Sequence, residues 1–254
     1  MAAKAFSIVT VVRNAPEAAA TVASVLAQKG VDLECVVIDG ASSDGTLAAL
    51  APFKRRIRLL SEPDQGIYDA MNKGLRLARG RVVGFLNAGD VFLGDRNLAA
   101  VARAFAADPG LGATFSSLEI ADAAGRVKRF WPAEEYRDGS FARGWMPCHP
   151  TFYALRRKLL DLGGFNTRYR LAADYDLMLR ALVVGRLASK AVPVKLVRMR
   201  SGGASQASLG ALWRHNREAW AAAREAGALR AGFAAFVAQK WGRKVPQLFR
   251  RSGP

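Results

Sequence analysis

Residues 6–12 read FSIVTVV, residues 33–38 LECVVI, residues 57–60 IRLL and residues 81–86 RVVGFL. All four are short apolar runs, the first two and the last rich in β-branched side chains. Near-continuous apolar runs, as opposed to alternating ones, are the mark of strands covered on both faces. The segments between them carry helix signals. Ala18 to Gln28 places Val22, Val25 and Leu26 on one face and stops at Gly30. Ser42-Ser43-Asp44-Gly45 is turn and N-cap chemistry ahead of a helix from Thr46 to Phe53. Tyr68 to Ala78 reads as a helix closed by Gly80. Strand and helix alternate about every dozen residues, which predicts an α/β fold with a mostly parallel sheet flanked by helices.

The remainder is less regular. Residues 91–106 read as loop then helix, and 113–131 as strands of a hairpin turning at Ala124-Gly125. Residues 132–148 are irregular and rich in Gly, Pro and aromatics. A helix ends over Leu159 to Gly164, another spans Ala173 to Gly185, and Val192 to Met199 reads as a late strand. After Gly202-Gly203 the composition shifts to Ala, Arg and Trp at helical spacing. The expected division is therefore a domain over 1–203 and a basic amphipathic helical tail over 204–254. There is no internal repeat.

The chain has 254 residues, of which 51% are hydrophobic, enough for a sizeable core and too many for disorder over most of the length. No stretch approaches the roughly 20 uncharged apolar residues that span a bilayer. The first residues read as a strand and not as a signal peptide, and Cys35 and Cys148 have no paired spacing. A reduced, cytoplasmic protein is the expectation. Net charge is +17, which fits nucleic acid, an anionic membrane surface or anionic small substrates. Clusters stand at Lys54-Arg55-Arg56, Arg156-Arg157-Lys158 and Arg243-Lys244 with Arg250-Arg251. No nucleic-acid-binding motif accompanies them, so no nucleic-acid partner is expected.

In doubly wound sheets, ligands bind beyond the carboxyl ends of the strands, where the connectivity reverses. Thr10 to Asn14, Asp39 and Asn87-Ala88-Gly89-Asp90 follow three of the predicted strands. An acid at a strand end suits a ribose or base, and a second acid beside a glycine suits a divalent cation bridging phosphates. Taken singly, Asp39-Gly40 and Gly89-Asp90 also read as ordinary turn residues.

The order of blocks goes further. FSIVTVVRNA, VVIDGASSDGT, EPDQGIYDAMNKGLRLARGRVVGFLNAGD and CHPTFYALRRKLLDLGGFNTRYRLAADYDLMLR together resemble the family 2 inverting glycosyltransferases of the GT-A (Rossmann-like) fold. The resemblance covers roughly residues 6–203 and is strongest to bacterial cell-surface polysaccharide enzymes. It implies that Thr10 and Arg13 cradle the donor nucleotide and that Asp39 contacts its base or ribose. Asn72 matches a family asparagine near the pyrophosphate, although Met71 replaces the adjoining arginine, and Lys73 is the candidate replacement charge. Asp64 and Asp69 are further donor-side candidates, with helix capping as the alternative.

Asn87-Ala-Gly-Asp90 stands where relatives carry Asp-x-Asp-Asp, so the resemblance makes Asp90 the ligand for Mg2+ or Mn2+, supported by Asn87. Asp174 matches the catalytic base, with Ala173 in place of the usual Glu. Asp176 is the runner-up base, or the i+4 partner of Arg180. His149 matches a histidine on the acceptor side. Trp145 either stacks on a sugar or fills core. Arg200-Ser201-Gly202-Gly203 resembles a loop that folds over donor phosphates, its glycines permitting motion.

The expected function is transfer of a sugar from a nucleoside diphosphate sugar, UDP favoured, to a lipid-linked or growing glycan in surface polysaccharide assembly. The alternative is a non-catalytic sugar-nucleotide or glycan-binding protein on the same fold. In the tail, Trp213, Trp220, Phe233, Phe236 and Trp241 stand among Arg and Lys. They read either as packing, favoured for the first helix, or as an anionic-membrane contact at the inner face of the cell membrane, favoured for residues 233–251.

Overall fold

The computed structural model describes residues 5–202 and 208–249. Among the described residues nine strands form one sheet: β1 (Phe6–Val12), β2 (Leu33–Asp39), β3 (Ile57–Ser61), β4 (Val82–Phe85), β5 (Val91–Phe92), β6 (Ala113–Ala121), β7 (Val127–Trp131), β8 (Tyr153–Leu155) and β9 (Ser189–Arg200). The helices are α1 (Ala18–Leu26), α2 (Thr46–Leu50), α3 (Ile67–Leu77), α4 (Asn97–Ala107), α5 (Arg156–Asp161), α6 (Ala173–Leu179), α7 (Leu209–Glu225) and α8 (Phe233–Phe249). The strand order is β3-β2-β1-β4-β8-β6-β9-β5, with β7 paired to the end of β6.

Strands β3, β2, β1 and β4 are mutually parallel, as the apolar runs predict. Connectivity reverses between β1 and β4: β2 and β3 extend one way from β1 and β4 lies on its other side. That reversal opens a crevice at the carboxyl edge. Beyond β4 the sheet is mixed, because β8 runs antiparallel to both β4 and β6 while β9 returns parallel to β6. The hairpin of β6 and β7 turns through Asp122–Arg126, as the Ala124-Gly125 signal requires. Strands β5 and β8 have two and three residues, too short to show periodicity, and β9 begins three residues before the expected Val192.

Alternation along β1 divides the core. Phe6, Ile8 and Val12 face α1, α2 and α4, while Val9 and Val11 face α3 and the later helices. Contact with α3 is close: a Cβ at Gly74 would lie 2.3 Å from Val9 Cγ1. Both cysteines are free and buried, and burial pushes the Cys35 thiol up to about 12.

The C-terminal helices pack on the domain. Ala219, Ala222 and Ala223 of α7 and Phe236 of α8 join the same core cluster as Val9, Val11 and Ile38. Trp220 donates its indole N–H to Ala231 O at 3.1 Å. Trp213 and Trp241 remain about half exposed, at 51% and 45%. No helix among the described residues is long and apolar enough to cross a membrane. Gly203, Arg250 and Arg251 lie outside the described residues.

Candidate functional site

An open cleft of about 520 Å3 lies at the carboxyl edge of the sheet, beside the reversal point. Its walls come from the start of α3 (Tyr68, Met71), the turn after β4 (Asn87, Asp90), the end of β7 (Arg129, Trp131), the approach to α6 (Arg170, Asp174) and the end of β9 (Met199, Arg200). Met146 and His149 enter from the irregular segment, and His215 and Lys240 from the two C-terminal helices.

The turn Asn87–Asp90 follows β4 directly. Asp90 N–H donates to Asn87 O at 3.0 Å and Gly89 adopts φ +91°, where a side chain is strained. This brings Asp90 under Arg200, whose backbone N–H donates to Asp90 Oδ1 at 2.9 Å. Arg200 also pairs with Glu17 at 3.0 Å across the cleft mouth. Asp90 is 5% exposed, and burial lifts its carboxyl to about 7, against the opposing pull of the Arg200 N–H. Asn87 Oδ1 is buried without a hydrogen-bond partner. A buried carboxylate and an orphaned amide oxygen on one turn suit a divalent cation that draws its remaining ligands from phosphate and water. Among the described residues no three His, Cys, Asp or Glu side chains are grouped so as to hold a metal ion by themselves.

Asp174 sits in the first turn of α6. Its Oδ1 accepts from the Tyr68 hydroxyl at 3.2 Å and from the Tyr175 N–H at 2.8 Å, and its Oδ2 lies 3.6 Å from His149 Nδ1. Burial pulls the His149 imidazole below its ordinary range, outweighing the opposite effect of Asp174, so the ring is neutral at neutral pH. Tyr68 is stacked on Phe165, and burial first and Asp174 second raise its hydroxyl well above the ordinary value. A carboxylate oriented by two donors and open to a cleft is equipped to take a proton from a hydroxyl.

The loop that delivers Asp174 is anchored from α7. Glu218 accepts from the N–H groups of Leu171 and Ala172 at 2.7 and 3.0 Å, and His215 Nδ1 meets Leu171 O at 2.8 Å. Glu225 pairs with Arg168 and accepts from the Tyr169 hydroxyl.

The structure thus brings Asn87, Asp90, His149, Asp174, Arg200, Ser201 and Gly202 to one cleft, and the remaining candidates lie outside its lining. Thr10 is fully buried within β1, its Oγ1 without a partner. Asp39 is fully buried at the end of β2, accepting from Ser42 Oγ at 2.5 Å and Ser61 Oγ at 2.6 Å. Arg13 is exposed beside Gly40, and Asp64 covers the same glycine so closely that a Cβ there would meet its Oδ2 at 2.2 Å. Asp69, in the first turn of α3, accepts from the Gln65 N–H at 3.1 Å, and Lys73 holds Glu62 and Pro63 O. The Asn72 amide is closed on Phe165, donating to its O and accepting from its N–H, each at 2.8 Å.

Asp176 pairs with Arg180 at 2.6 Å. Trp145 is buried against Phe115, Tyr136 and Phe141 and stays off the cleft. The cleft residues that sequence reasoning missed are Tyr68, Arg129, Trp131, Arg170, His215 and Lys240. Tyr68 and Arg170 carried a signal, since they stand in the quoted blocks EPDQGIYDAMNKGLRLARGRVVGFLNAGD and CHPTFYALRRKLLDLGGFNTRYRLAADYDLMLR.

Comparisons with known proteins identify the family and the fold. The pattern of glycosyl transferase family 2 matches residues 7–163. The "PGL/p-HBAD biosynthesis glycosyltransferase" of Mycobacterium bovis (strain BCG / Pasteur 1173P2) is 34% identical over 186 residues, covering 71% of this chain and 70% of that protein. Among solved structures, S. aureus TarS 1-349 in complex with UDP aligns at TM-score 0.57 and 15% identity, over 84% of this chain and 64% of that one. The mannosyltransferase PcManGT from Pyrobaculum calidifontis in complex with GDP-Man and Mn2+ aligns at TM-score 0.59 and 20% identity, over 96% and 81%. The chain therefore spans under two thirds of that TarS fragment, and both structures share the GT-A fold.

Proposed function

Because the chain belongs to glycosyl transferase family 2, we propose that it is an inverting enzyme that moves a sugar from a nucleoside diphosphate sugar to a glycan or lipid-linked acceptor. The observation that carries this reading is Asp174, open to the cleft and oriented by Tyr68 and the Tyr175 N–H, in the same cavity as Asp90. In the reaction, Asp174 takes the proton from the acceptor hydroxyl as its oxygen bonds to the anomeric carbon. The bond from that carbon to the diphosphate breaks on the opposite face, giving inversion in one displacement. His149, neutral at 3.6 Å from Asp174, leaves the base its negative charge and offers a ring nitrogen to the acceptor.

Asp90 and Asn87 would hold Mg2+ or Mn2+. When bound, the ion supplies charge neutralisation at the departing diphosphate. Arg200, packed over Gly89 and paired with Glu17, is a further cation at that wall, which matters because Met71 lines the cleft where the family resemblance implies arginine. A UDP-sugar is the favoured donor and bacterial surface polysaccharide assembly the favoured setting. The half-exposed Trp213 and Trp241, with the basic face of the tail, support contact with an anionic membrane surface.

Calorimetric titration with UDP, GDP and dTDP, each with and without Mn2+, tests the reading. Metal-enhanced binding of one nucleotide is expected. Binding of none, with or without metal, overturns it and leaves a non-catalytic glycan-binding protein.

A further inference from the structure

Arg129 projects from β7 into the wall between the main cleft and a small side cavity, and it lines both. Its Nε is buried with no hydrogen-bond partner, and no carboxylate pairs with it among the described residues. Glu134, which lines the side cavity with Arg129, is paired with Arg243, and Glu119 of the adjoining strand β6 is paired with Lys195 and Arg198. What Arg129 does have is the face of Trp131, 5.0 Å from the ring centroid. Burial lowers its pKa from the ordinary value while leaving it charged. A partly buried guanidinium whose Nε has neither hydrogen bond nor counter-charge gains from an anion that completes it.

A second cation points to the same place. Lys240 of α8 is 5% exposed, lies over Tyr175 and Phe236 at 5.6 and 5.3 Å, and also lines both cavities. The location relative to the chemistry is fixed by neighbours. Trp131 O accepts from Cys148 Sγ, the residue before His149, and Tyr175 follows Asp174. The two cations therefore stand behind the His149–Asp174 side of the cleft, whereas Asn87 and Asp90 belong to the turn after β4. Trp131 and Met146 add apolar surface shared by both cavities.

We propose that Arg129 and Lys240 form an oxyanion subsite for the acceptor, taking a phosphate or carboxylate that the acceptor carries near its reactive hydroxyl while Trp131 and Met146 cover its apolar part. The inference rests on the glycosyltransferase reading for the word acceptor, but the anion subsite itself is measured independently. The two sources of such an oxyanion are the phosphate of a lipid headgroup and the carboxylate of an acidic sugar. Arg129 presents a planar fork that matches either.

The test is calorimetric titration of the full chain with two matched pairs, geranyl phosphate against geraniol and octyl β-D-glucuronide against octyl β-D-glucoside, below their micelle concentrations. Each titration is repeated with excess UDP and Mn2+, so that anions held in the donor pocket are separated from those held by Arg129. The anionic member of one pair is expected to bind about ten-fold more tightly than its neutral partner. Preference for the phosphate assigns a lipid headgroup, and preference for the glucuronide assigns an acidic sugar. Arg129→Gln is expected to abolish the preference and leave UDP binding unchanged. Arg129→Lys, which keeps the charge and loses the fork, is expected to fall between, and it serves if the Gln variant does not fold. Equal binding of anionic and neutral members in both pairs overturns the proposal, as does a preference undiminished in Arg129→Gln and Lys240→Gln. Failure of wild type to bind any nucleotide sinks the transferase reading instead, and leaves the anion preference standing as measured.

Discussion

Asp90 and Asp174 line the same cleft, yet they are held there by different means. Asp90 rides on a four-residue turn directly beyond the parallel strand β4, closed by its own N–H on Asn87 O and tied from afar by Thr21, which accepts from the Gly89 N–H, and by the Arg200 N–H. Asp174 rides on a seven-residue helix whose approach has little regular structure and is tied down from far away in sequence. Tyr68 reaches it across 106 residues and Glu218 holds its approach across 47. The first wall combines a local turn with tertiary hydrogen bonds from α1 and β9, whereas the approach to the second hangs on tertiary hydrogen bonds from α3 and α7. Damage to α7 should therefore reach the second wall, whose approach Glu218 holds, and spare the first, which is tied to Thr21 and Arg200 instead.

The largest expected effect tests the chemistry of that second wall. Asp174→Asn keeps size and removes the base, so turnover is expected to fall by about 10³-fold or more, within the range for a general base. Nucleotide affinity should stay within about two-fold of wild type, since the substitution does not touch the first wall. A variant that lost nucleotide binding along with turnover would show that the two walls are not separable.

Glu218→Ala comes next, and it bears on the comparison itself. The change touches no cleft-lining side chain but strips the acceptor from the N–H groups of Leu171 and Ala172. Turnover should drop on the order of 10- to 100-fold through misplacement of Asp174, and stability by about 2 kcal/mol for the unsatisfied donors. Metal-supported nucleotide binding should not change. Equal losses at both walls, read by titration calorimetry beside thermal melting, would erase the distinction.

Asn72→Ala separates two readings of one residue. Family resemblance implies a donor-side role, whereas the amide is closed on the Phe165 backbone in both directions. A strap of this kind predicts a stability loss of about 1–3 kcal/mol with nucleotide affinity unaltered. A large rise in nucleotide Kd without loss of stability would return Asn72 to the donor site.

These cases show what the sequence exposes. The parallel half was legible because FSIVTVV, LECVVI and RVVGFL are strand-length apolar runs and because a sheet reversal places its ligands without further information. Asp90 and Asp174 were legible through the order of motif blocks. The second wall was not. The Tyr153–Leu155 strand is too short to carry a period, and the turn that ends the Asn72 helix contact is defined by a partner 93 residues away. Arg129 reads as one more arginine in a basic chain until the fold withholds a carboxylate from it. The tail could be read as an appendage from its composition, yet Glu218, His215 and Lys240 make it part of the cleft. Pattern reports the faces of single elements, while these residues matter through what they meet.

The smallest effect concerns the cost of the first wall. Burial places the Asp90 carboxyl at about 7 in the folded chain, above its ordinary 3.8. Between those values the folded state binds more protons than the unfolded state, so this group's contribution to stability falls as pH rises through the window. It is intact below about pH 4 and lost above about pH 7. In metal-free protein, Asp90→Asn removes the titration while its side-chain oxygen still accepts the Arg200 N–H. The variant should therefore be more stable than wild type by about 1–3 kcal/mol at pH 8, with the advantage vanishing toward pH 4. Saturating Mn2+ with nucleotide should reverse the order, because only the wild type gains the binding energy of the cation. Denaturant unfolding at pH 4 and pH 8, with EDTA or with Mn2+ and UDP, resolves all four cases. A wild type more stable at pH 8 than its variant under EDTA would mean that Asp90 is a structural acid satisfied by the protein alone, and the first wall would then have no vacancy for a metal to fill.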